Sequence, residues 1–99
     1  MSNNIILDKT YDFAVIIVKL SQKLVSEKQE YVLSKQILRS GTSIGANTEE
    51  ARETKYWLRI LKDTGYLNEI EFKLFFDKIE EILKILFVII KKSKENEER

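Results

Sequence analysis

Residues 33–51, LSKQILRSGTSIGANTEEA, decide the fold of this 99-residue chain. Ile37 and Ile44 lie seven residues apart, which places them on one face of a helix. Gly41 and Gly45 lie four residues apart, and glycines at this spacing let a second helix backbone approach closely. Because a glycine inside a helix costs roughly 1 kcal/mol relative to alanine, two of them indicate that close packing offsets the cost. The alternative is that the glycines mark a loop between two helices.

The middle of the chain is expected to form one long helix around this stretch. Between residues 29 and 64 only the two glycines interrupt the helical sequence, and residues 48–54 contain no glycine or proline. The apolar residues of the two halves point roughly 140° apart on an ideal helix. Either the helix breaks near Asn47 and folds back, or it continues and its halves pack on different neighbours, which invites domain swapping. We favour the continuous helix.

The flanking helices are predicted from their caps. The first helix is expected to begin at Asp8 or Thr10 and to end near residue 25. Gly65 suits the position after the middle helix, and Asn68 with Glu71 has capping-box spacing for the last helix. The predicted fold is therefore an all-α antiparallel bundle with three helices and a long fused middle helix. The alternative is a compressed four-helix bundle, and in either case residues 1–99 form one domain with a frayed tail at 93–99.

The composition favours a helical protein that lacks the usual catalytic side chains. The chain contains no proline, no cysteine and no histidine, and its formal net charge is +1. Thiolate nucleophiles, disulfides and the commonest metal ligands are therefore absent. No signal peptide or apolar run of membrane-spanning length is evident. We predict a cytoplasmic protein that is not an enzyme and that uses no metal and no cofactor.

Two apolar segments indicate contact with a second subunit. Residues 13–18 and 85–90 are apolar around most of the helix circumference, so each needs cover on more than one side. A chain of this length buries only about 60–70% of its unfolded surface, which makes oligomerisation a natural way to enlarge the core. The predicted oligomer interface consists of Phe13, Ile17, Gly41, Gly45, Trp57, Phe87 and Ile90.

A line of cations follows the second half of the middle helix. Arg52, Lys55, Arg59 and Lys62 are spaced three, four and three residues apart, so they share one helix face. Such a line can track a phosphate backbone, because each cation releases a condensed counterion. Lys35 and Arg39 are predicted to extend the line in an oligomer. The alternative is an ordinary solvated helix face, since acidic residues lie close in sequence.

The central motifs resemble a known family. Residues 33–47, followed by Glu50 and Ala51, resemble the second helix of the bacterial four-helix-bundle proteins linked to 23S rRNA intervening sequences. Residues 53–67, ETKYWLRILKDTGYL, resemble the end of that family's third helix, and residues 79–92 resemble its fourth. Members carry a further segment of about five helical turns that is missing here after Ala51.

The resemblance implies a self-assembling protein. Members form homo-oligomeric rings, often pentamers, and a similar protein accompanies diversity-generating reverse transcriptases and contacts nucleic acid. A fused middle helix would instead favour a dimer or a tetramer. We therefore predict a homo-oligomeric helical scaffold that binds RNA or DNA and does not contact membranes. The alternative is a protein–protein interaction module that binds no nucleic acid.

Overall fold

Four helices form an antiparallel bundle in the computed structural model, which describes residues 2–46 and 48–97. They are α1 (Ser2–Lys28), α2 (Val32–Gly41), α3 (Thr48–Asp63) and α4 (Glu69–Glu97), with a 3₁₀ turn (Ile44–Ala46) between α2 and α3. Each helix packs on the next along the chain, and α4 returns to α1 and closes the bundle. The bundle measures 53 × 22 × 21 Å. None of the helices in the described part of the chain is long and apolar enough to cross a membrane.

The all-α prediction is confirmed, and the compressed four-helix alternative is the form observed. The continuous middle helix is wrong, because α2 ends at Gly41 and α3 begins only at Thr48. A continuous helix would have pointed its two apolar halves in different directions. The break lets Ile37 of α2 and Leu58 of α3 both reach zero exposure in one core, together with Ile44 in the turn. Burial in one shared core therefore outweighs helix propensity at this junction.

Side-chain hydroxyls help to end α2. The Thr42 hydroxyl donates to the Leu38 carbonyl at 2.7 Å, and the Ser43 hydroxyl donates to the Arg39 carbonyl at 2.8 Å. The Leu38 carbonyl also accepts the ordinary helical bond from the Thr42 backbone N–H at 3.1 Å. The Ser43 N–H instead donates to the Ser40 carbonyl at 3.2 Å, so the Ser43 hydroxyl supplies the donor that the Arg39 carbonyl would otherwise lack where the helix ends. Asn47, where the break was considered, lies outside the described residues.

The two glycines have different roles. Gly41 lies against α1, and a β-carbon added there would come within 2.8 Å of Ile17 Cγ2. The close approach predicted for this glycine therefore exists, but it joins two helices of one chain. Gly45 lies exposed in the 3₁₀ turn, where an added β-carbon would meet Thr10 Oγ1 at an ordinary 3.7 Å. The loop interpretation is correct for Gly45, and a shared helical groove of both glycines is not formed.

The predicted end of α3 and start of α4 are confirmed. Gly65 has a φ of +88°, a conformation that favours glycine, and it follows α3 closely. The Asn68 carboxamide oxygen accepts from the Glu71 amide at 2.8 Å, and the Glu71 carboxylate accepts from the Asn68 amide at 3.0 Å. This reciprocal pair is the predicted capping box. It fixes the start of α4.

Both ends of α1 lie beyond their predicted positions. α1 begins at Ser2, and the Thr10 hydroxyl donates to the Ile6 carbonyl at 2.8 Å inside the helix instead of capping it. Gln29, with a φ of +52°, separates α1 from α2, and the Glu30 carboxylate caps α2 by accepting from two backbone amides. At the other end of the chain, α4 extends to Glu97.

An ion pair joins the first turns of α1 to α4 and yields a pH prediction. Lys9 Nζ lies 2.9 Å from Glu81 Oε1. The hydrogen bond and the charge of Lys9 hold the pKa of Glu81 below the ordinary glutamate value. A lowered folded-state pKa means that the pair's contribution to stability is present above the ordinary glutamate pKa. That contribution is lost as the pH falls through the lower pKa of the folded state.

We expect Lys9→Met to raise the pKa of Glu81 toward the ordinary glutamate value, because the variant removes both the hydrogen bond and the charge. A carboxyl-carbon NMR titration of the folded protein measures this shift. Lys19→Met is the matched control, since Lys19 is an exposed lysine of the same helix. An unchanged Glu81 titration in Lys9→Met would show that the two side chains do not pair in solution.

Candidate nucleic-acid interface

The predicted line of cations borders an open groove between α3 and α4. The groove has a volume of about 600 Å³. Its lining combines the four predicted cations of α3 with three aromatic side chains: Arg52, Lys55, Arg59 and Lys62 with Tyr56, Phe72 and Phe76. The structure therefore brings the four α3 cations together along one side of a concave surface. The phenylalanines of α4 form the opposite wall, which the spacing of α3 alone did not reveal.

Aromatic rings of α4 hold two of the lysines at the groove. Lys55 Nζ lies 4.9 Å from the ring centroid of Phe76, and Lys62 Nζ lies 4.7 Å from the ring centroid of Phe72. These are cation–π distances, at which the negative face of the ring attracts the ammonium group. The contact orders each long lysine side chain before a ligand arrives. Arg52 lies beside a third ring of α4, 5.9 Å from the centroid of Phe87.

Carboxylates lie along the rims of the groove. Lys55 forms a close ion pair with Glu80 of α4. Lys62 lies 3.9 Å from Asp63 and 4.0 Å from Glu69, whereas Arg52 lies 4.0 Å from Glu49. Solvent-exposed pairs at such distances contribute about 0–1 kcal/mol. An incoming phosphate can therefore compete for Lys62 and Arg52 at small cost.

Arg59 is the least committed cation of the line. It is exposed and forms no ion pair with any residue in the ranges 2–46 and 48–97. Tyr56 lies beside it on α3, and 59% of this tyrosine is exposed. The two side chains give the groove a free guanidinium next to an open aromatic ring. This combination can bind a phosphate and a planar base together.

The two predicted cations of α2, Lys35 and Arg39, do not line the groove. Trp57 donates from its indole N–H to Glu53 at 3.3 Å, and Glu53 forms a close ion pair with Arg39 of α2. Arg39 therefore closes the seam between α2 and α3. Lys35 is exposed on α2 and does not line the groove. Within one chain, Lys35 and Arg39 do not extend the line of cations, and their role in an oligomer stays a prediction.

The residues of the predicted oligomer interface fall into two groups, one buried in the chain's own core and the other at least partly exposed. Phe13 and Ile17 are 1% and 0% exposed in the chain's own core, and Gly41 is buried against Ile17. Their assignment to a subunit interface is corrected, because a second subunit cannot reach them. Phe87 and Ile90 are 48% and 40% exposed near the end of α4. Trp57 is half-buried and Gly45 is exposed.

The predicted interface residues do not include an exposed apolar stripe on α1. The stripe, termed here the α1 seam, follows alternating steps of four and three residues and consists of Leu7, Tyr11, Ala14 and Val18. Leu7 is 63% exposed and Tyr11 is 70% exposed. An open hollow of about 510 Å³ lies between the seam and the 3₁₀ turn. The spacing was the available signal, since it repeats every seven residues as interacting helices do.

The structure gives no positive sign of catalysis in the part of the chain that it describes. The hydroxyls of Thr42 and Ser43 are engaged with backbone carbonyls, and Ser40 is fully buried. No group of three or more acidic side chains within residues 2–46 and 48–97 is placed to hold a metal ion.

Fold and site together define a class: a small antiparallel four-helix bundle with a basic, aromatic-lined groove on one side. A comparison with models of protein families identifies the family of the chain. The model of the 23S rRNA-intervening sequence protein family matches residues 2–52, and the chain belongs to this family. The match ends at residue 52. This is next to Ala51, after which this chain lacks the additional segment that the resemblance implies for family members. α3 runs through this position without a break.

A solved structure supports the same fold. It comes from Bacteroides thetaiotaomicron VPI-5482 and is described as a protein with unknown function from the S23 ribosomal protein family. The two sequences are 41% identical, and the match covers 92% of this chain and 99% of that chain with a TM-score of 0.89. A search of curated proteins gave no significant match.

Proposed function

We propose that this protein is a homo-oligomeric scaffold of the cytoplasm that binds RNA through the groove between α3 and α4. The observation that carries the proposal is the line of four cations beside exposed Tyr56. The family description, which refers to an intervening sequence of 23S rRNA, makes RNA the first nucleic acid to test. The protein acts by binding, since no catalytic group is required at such a surface.

The charge of the groove sets the expected strength and salt dependence. Four cations can contact at most four phosphates, and for a single strand log K falls with log salt at a slope of about −0.7 per contact. One chain is therefore expected to give a slope of about −3, which means weak binding at physiological salt. Several grooves in one assembly would raise the apparent affinity through avidity. Oligomerisation and RNA binding thus support each other.

The proposal is tested by measuring RNA affinity as a function of salt for three proteins. We expect Arg59→Glu to weaken binding at least tenfold at low salt and to lower the slope, because the variant removes one contact and repels the strand. Lys19→Glu on α1 is the control, since it changes the net charge by the same amount away from the groove. Fluorescence anisotropy of a labelled RNA gives both the affinity and the slope.

Salt-independent binding, or equal weakening by both variants, would contradict the proposal. Equal weakening would mean that the RNA responds only to net charge. Loss of affinity in Arg59→Glu, with no loss in Lys19→Glu, supports RNA binding in the groove.

The exposed apolar residues support self-assembly through two different surfaces. One is the α1 seam, with Asp8 in the hollow beside it. The other is the end of α4, where Phe87, Val88 and Ile90 are all at least 40% exposed. Residues 84–94 contain four lysines and no acidic residue. A basic apolar surface and an apolar surface edged by a carboxylate are complementary, so a second copy of the chain is the proposed partner.

A protein-interaction module without RNA binding is the second candidate. The observation in its favour is the same pair of exposed apolar surfaces, which a different protein could cover. The two candidates differ in a simple measurement. A purified protein that self-assembles and binds RNA with a steep salt dependence favours the first, whereas a monomer without RNA affinity favours the second.

A further inference from the structure

We infer that the groove between α3 and α4 takes a single-stranded polynucleotide, with one base stacked on Tyr56. This inference rests on the proposed RNA-binding function and names the form of nucleic acid that the site recognises. It is carried by the arrangement of charge across the groove and by the differing availability of its three aromatic rings.

The cations form one line, which matches one phosphate backbone. Arg52 and Lys62 are ten residues apart on α3, so the line is about 15 Å long. Glu80 and Glu69 stand on the α4 side, where they face Lys55 and Lys62. A duplex carries two phosphate strands that are separated by a groove. The second strand would approach these carboxylates and be repelled, whereas a single strand can follow the α3 side alone.

Only one of the aromatic rings in the groove is available to a base. Phe76 and Phe72 each have a lysine ammonium over the ring, at 4.9 and 4.7 Å from the centroid. Tyr56 has no cation over its ring among the described residues, and 59% of it is exposed. A base whose edges are paired inside a duplex cannot reach such a ring. An unpaired base can leave its strand and stack there.

A second aromatic residue holds Tyr56 in place. The rings of Tyr56 and Trp57 are 5.1 Å apart at an angle of 77°, an edge-to-face contact. Trp57 is itself fixed by its hydrogen bond to Glu53. The contact with Trp57 restricts the Tyr56 ring, while 59% of the tyrosine stays exposed in the groove that Arg59 also lines. An ordered ring loses little conformational entropy when a base stacks on it.

The test compares nucleic acids of one sequence in two forms. A labelled 12-nucleotide RNA is titrated as a single strand and as a duplex, with single-stranded DNA as a further arm, by fluorescence anisotropy at low salt. We expect the wild-type protein to bind the single strand at least fivefold more tightly than the duplex. Tyr56→Ala should weaken single-strand binding by about 5- to 150-fold, the range of one stacked base, and leave duplex binding unchanged.

Two further variants separate stacking from other effects. Tyr56→Phe keeps the ring and should retain single-strand affinity within about twofold. Tyr31→Ala is the matched control, because it removes a tyrosine that is 55% exposed outside the groove, and it should change nothing. Circular dichroism establishes that each variant is folded.

The outcomes distinguish this inference from the proposed function. Equal binding of single strand and duplex, or equal affinity of Tyr56→Ala and the wild type, would overturn the single-strand inference while RNA binding itself stood. Absence of salt-dependent binding in every arm would overturn both. Equal affinity for RNA and DNA single strands supports recognition of phosphate and base, and tighter RNA binding supports it with an added 2′-hydroxyl contact.

Discussion

Replacing Gly41 by alanine is expected to lower the free energy of unfolding by about 2 kcal/mol and the melting temperature by on the order of 10 °C. The added β-carbon would lie 2.8 and 2.9 Å from the Cγ2 and Cγ1 atoms of Ile17 and 3.2 Å from its Cβ. Ile17 is fully buried, and its Cβ is tied to the backbone of α1, so a rotamer change cannot relieve the clash. The two helices must separate, which opens the core on both sides.

Gly45→Ala is the matched control for this measurement. It adds the same methyl group four residues away, where the nearest atoms are 3.7 and 3.9 Å distant and the residue is exposed. Its stability should lie within about 0.5 kcal/mol of the wild type, as for most surface substitutions. Urea unfolding followed by circular dichroism gives both values. A Gly41→Ala protein as stable as Gly45→Ala would mean that α1 and α2 do not approach as closely as described.

Some helix ends of this chain are predictable because their signals lie within a few residues of sequence. The capping box of Asn68 and Glu71 and the glycine conformation at Gly65 depend on residues a few positions apart, so local spacing contains the full signal. The break after Gly41 depends instead on where distant residues are buried. Residues 48–54 favour a helix, and they do lie in α3, but helix propensity does not say which way the helix must run to bury Ile44 and Leu58.

The candidate site was predictable in the same partial way. Helical spacing placed Arg52, Lys55, Arg59 and Lys62 on one face, and all four line the groove. The spacing could not show that Phe72 and Phe76 of α4 form the opposite wall, because that contact joins residues distant in sequence. Trp57 does not line the groove, because it directly follows Tyr56 and its side chain therefore points to a different side of the helix.

Part of the interface prediction is wrong because it assigned to a second subunit the cover that the chain itself provides for residues 13 and 17. Phe13 and Ile17 are large enough to fill the core of a single chain, and they do. On α1, the residues that stay exposed for a partner are Leu7 and Tyr11, which lie on a different face of the helix from Phe13 and Ile17. A stretch that is apolar all round indicates that it is covered on several sides, without indicating which sides the chain itself covers.

The proposed assembly makes a second prediction of large effect, a change from oligomer to monomer. If the α1 seam of one chain receives the α4 end of the next, the contact joins two different surfaces. Tyr11→Glu places a charge in the seam, and Ile90→Glu places one at the end of α4. Both residues are exposed, 70% and 40%, so neither change should unfold the chain. Each variant alone is expected to be a monomer by light scattering behind a sizing column.

Mixing the two variants decides how the surfaces pair. The Tyr11→Glu chain keeps an intact α4 end and the Ile90→Glu chain keeps an intact seam, so each pair of unlike chains can form one contact and no more. The mixture should therefore give a one-to-one dimer, with twice the chain mass of 11.7 kDa. Ile70→Glu, at an apolar position 83% exposed near the start of α4, is the control and should assemble like the wild type. A seam that pairs with another seam would leave Ile90→Glu assembled and the mixture unchanged, and a monomeric wild type would remove self-assembly altogether.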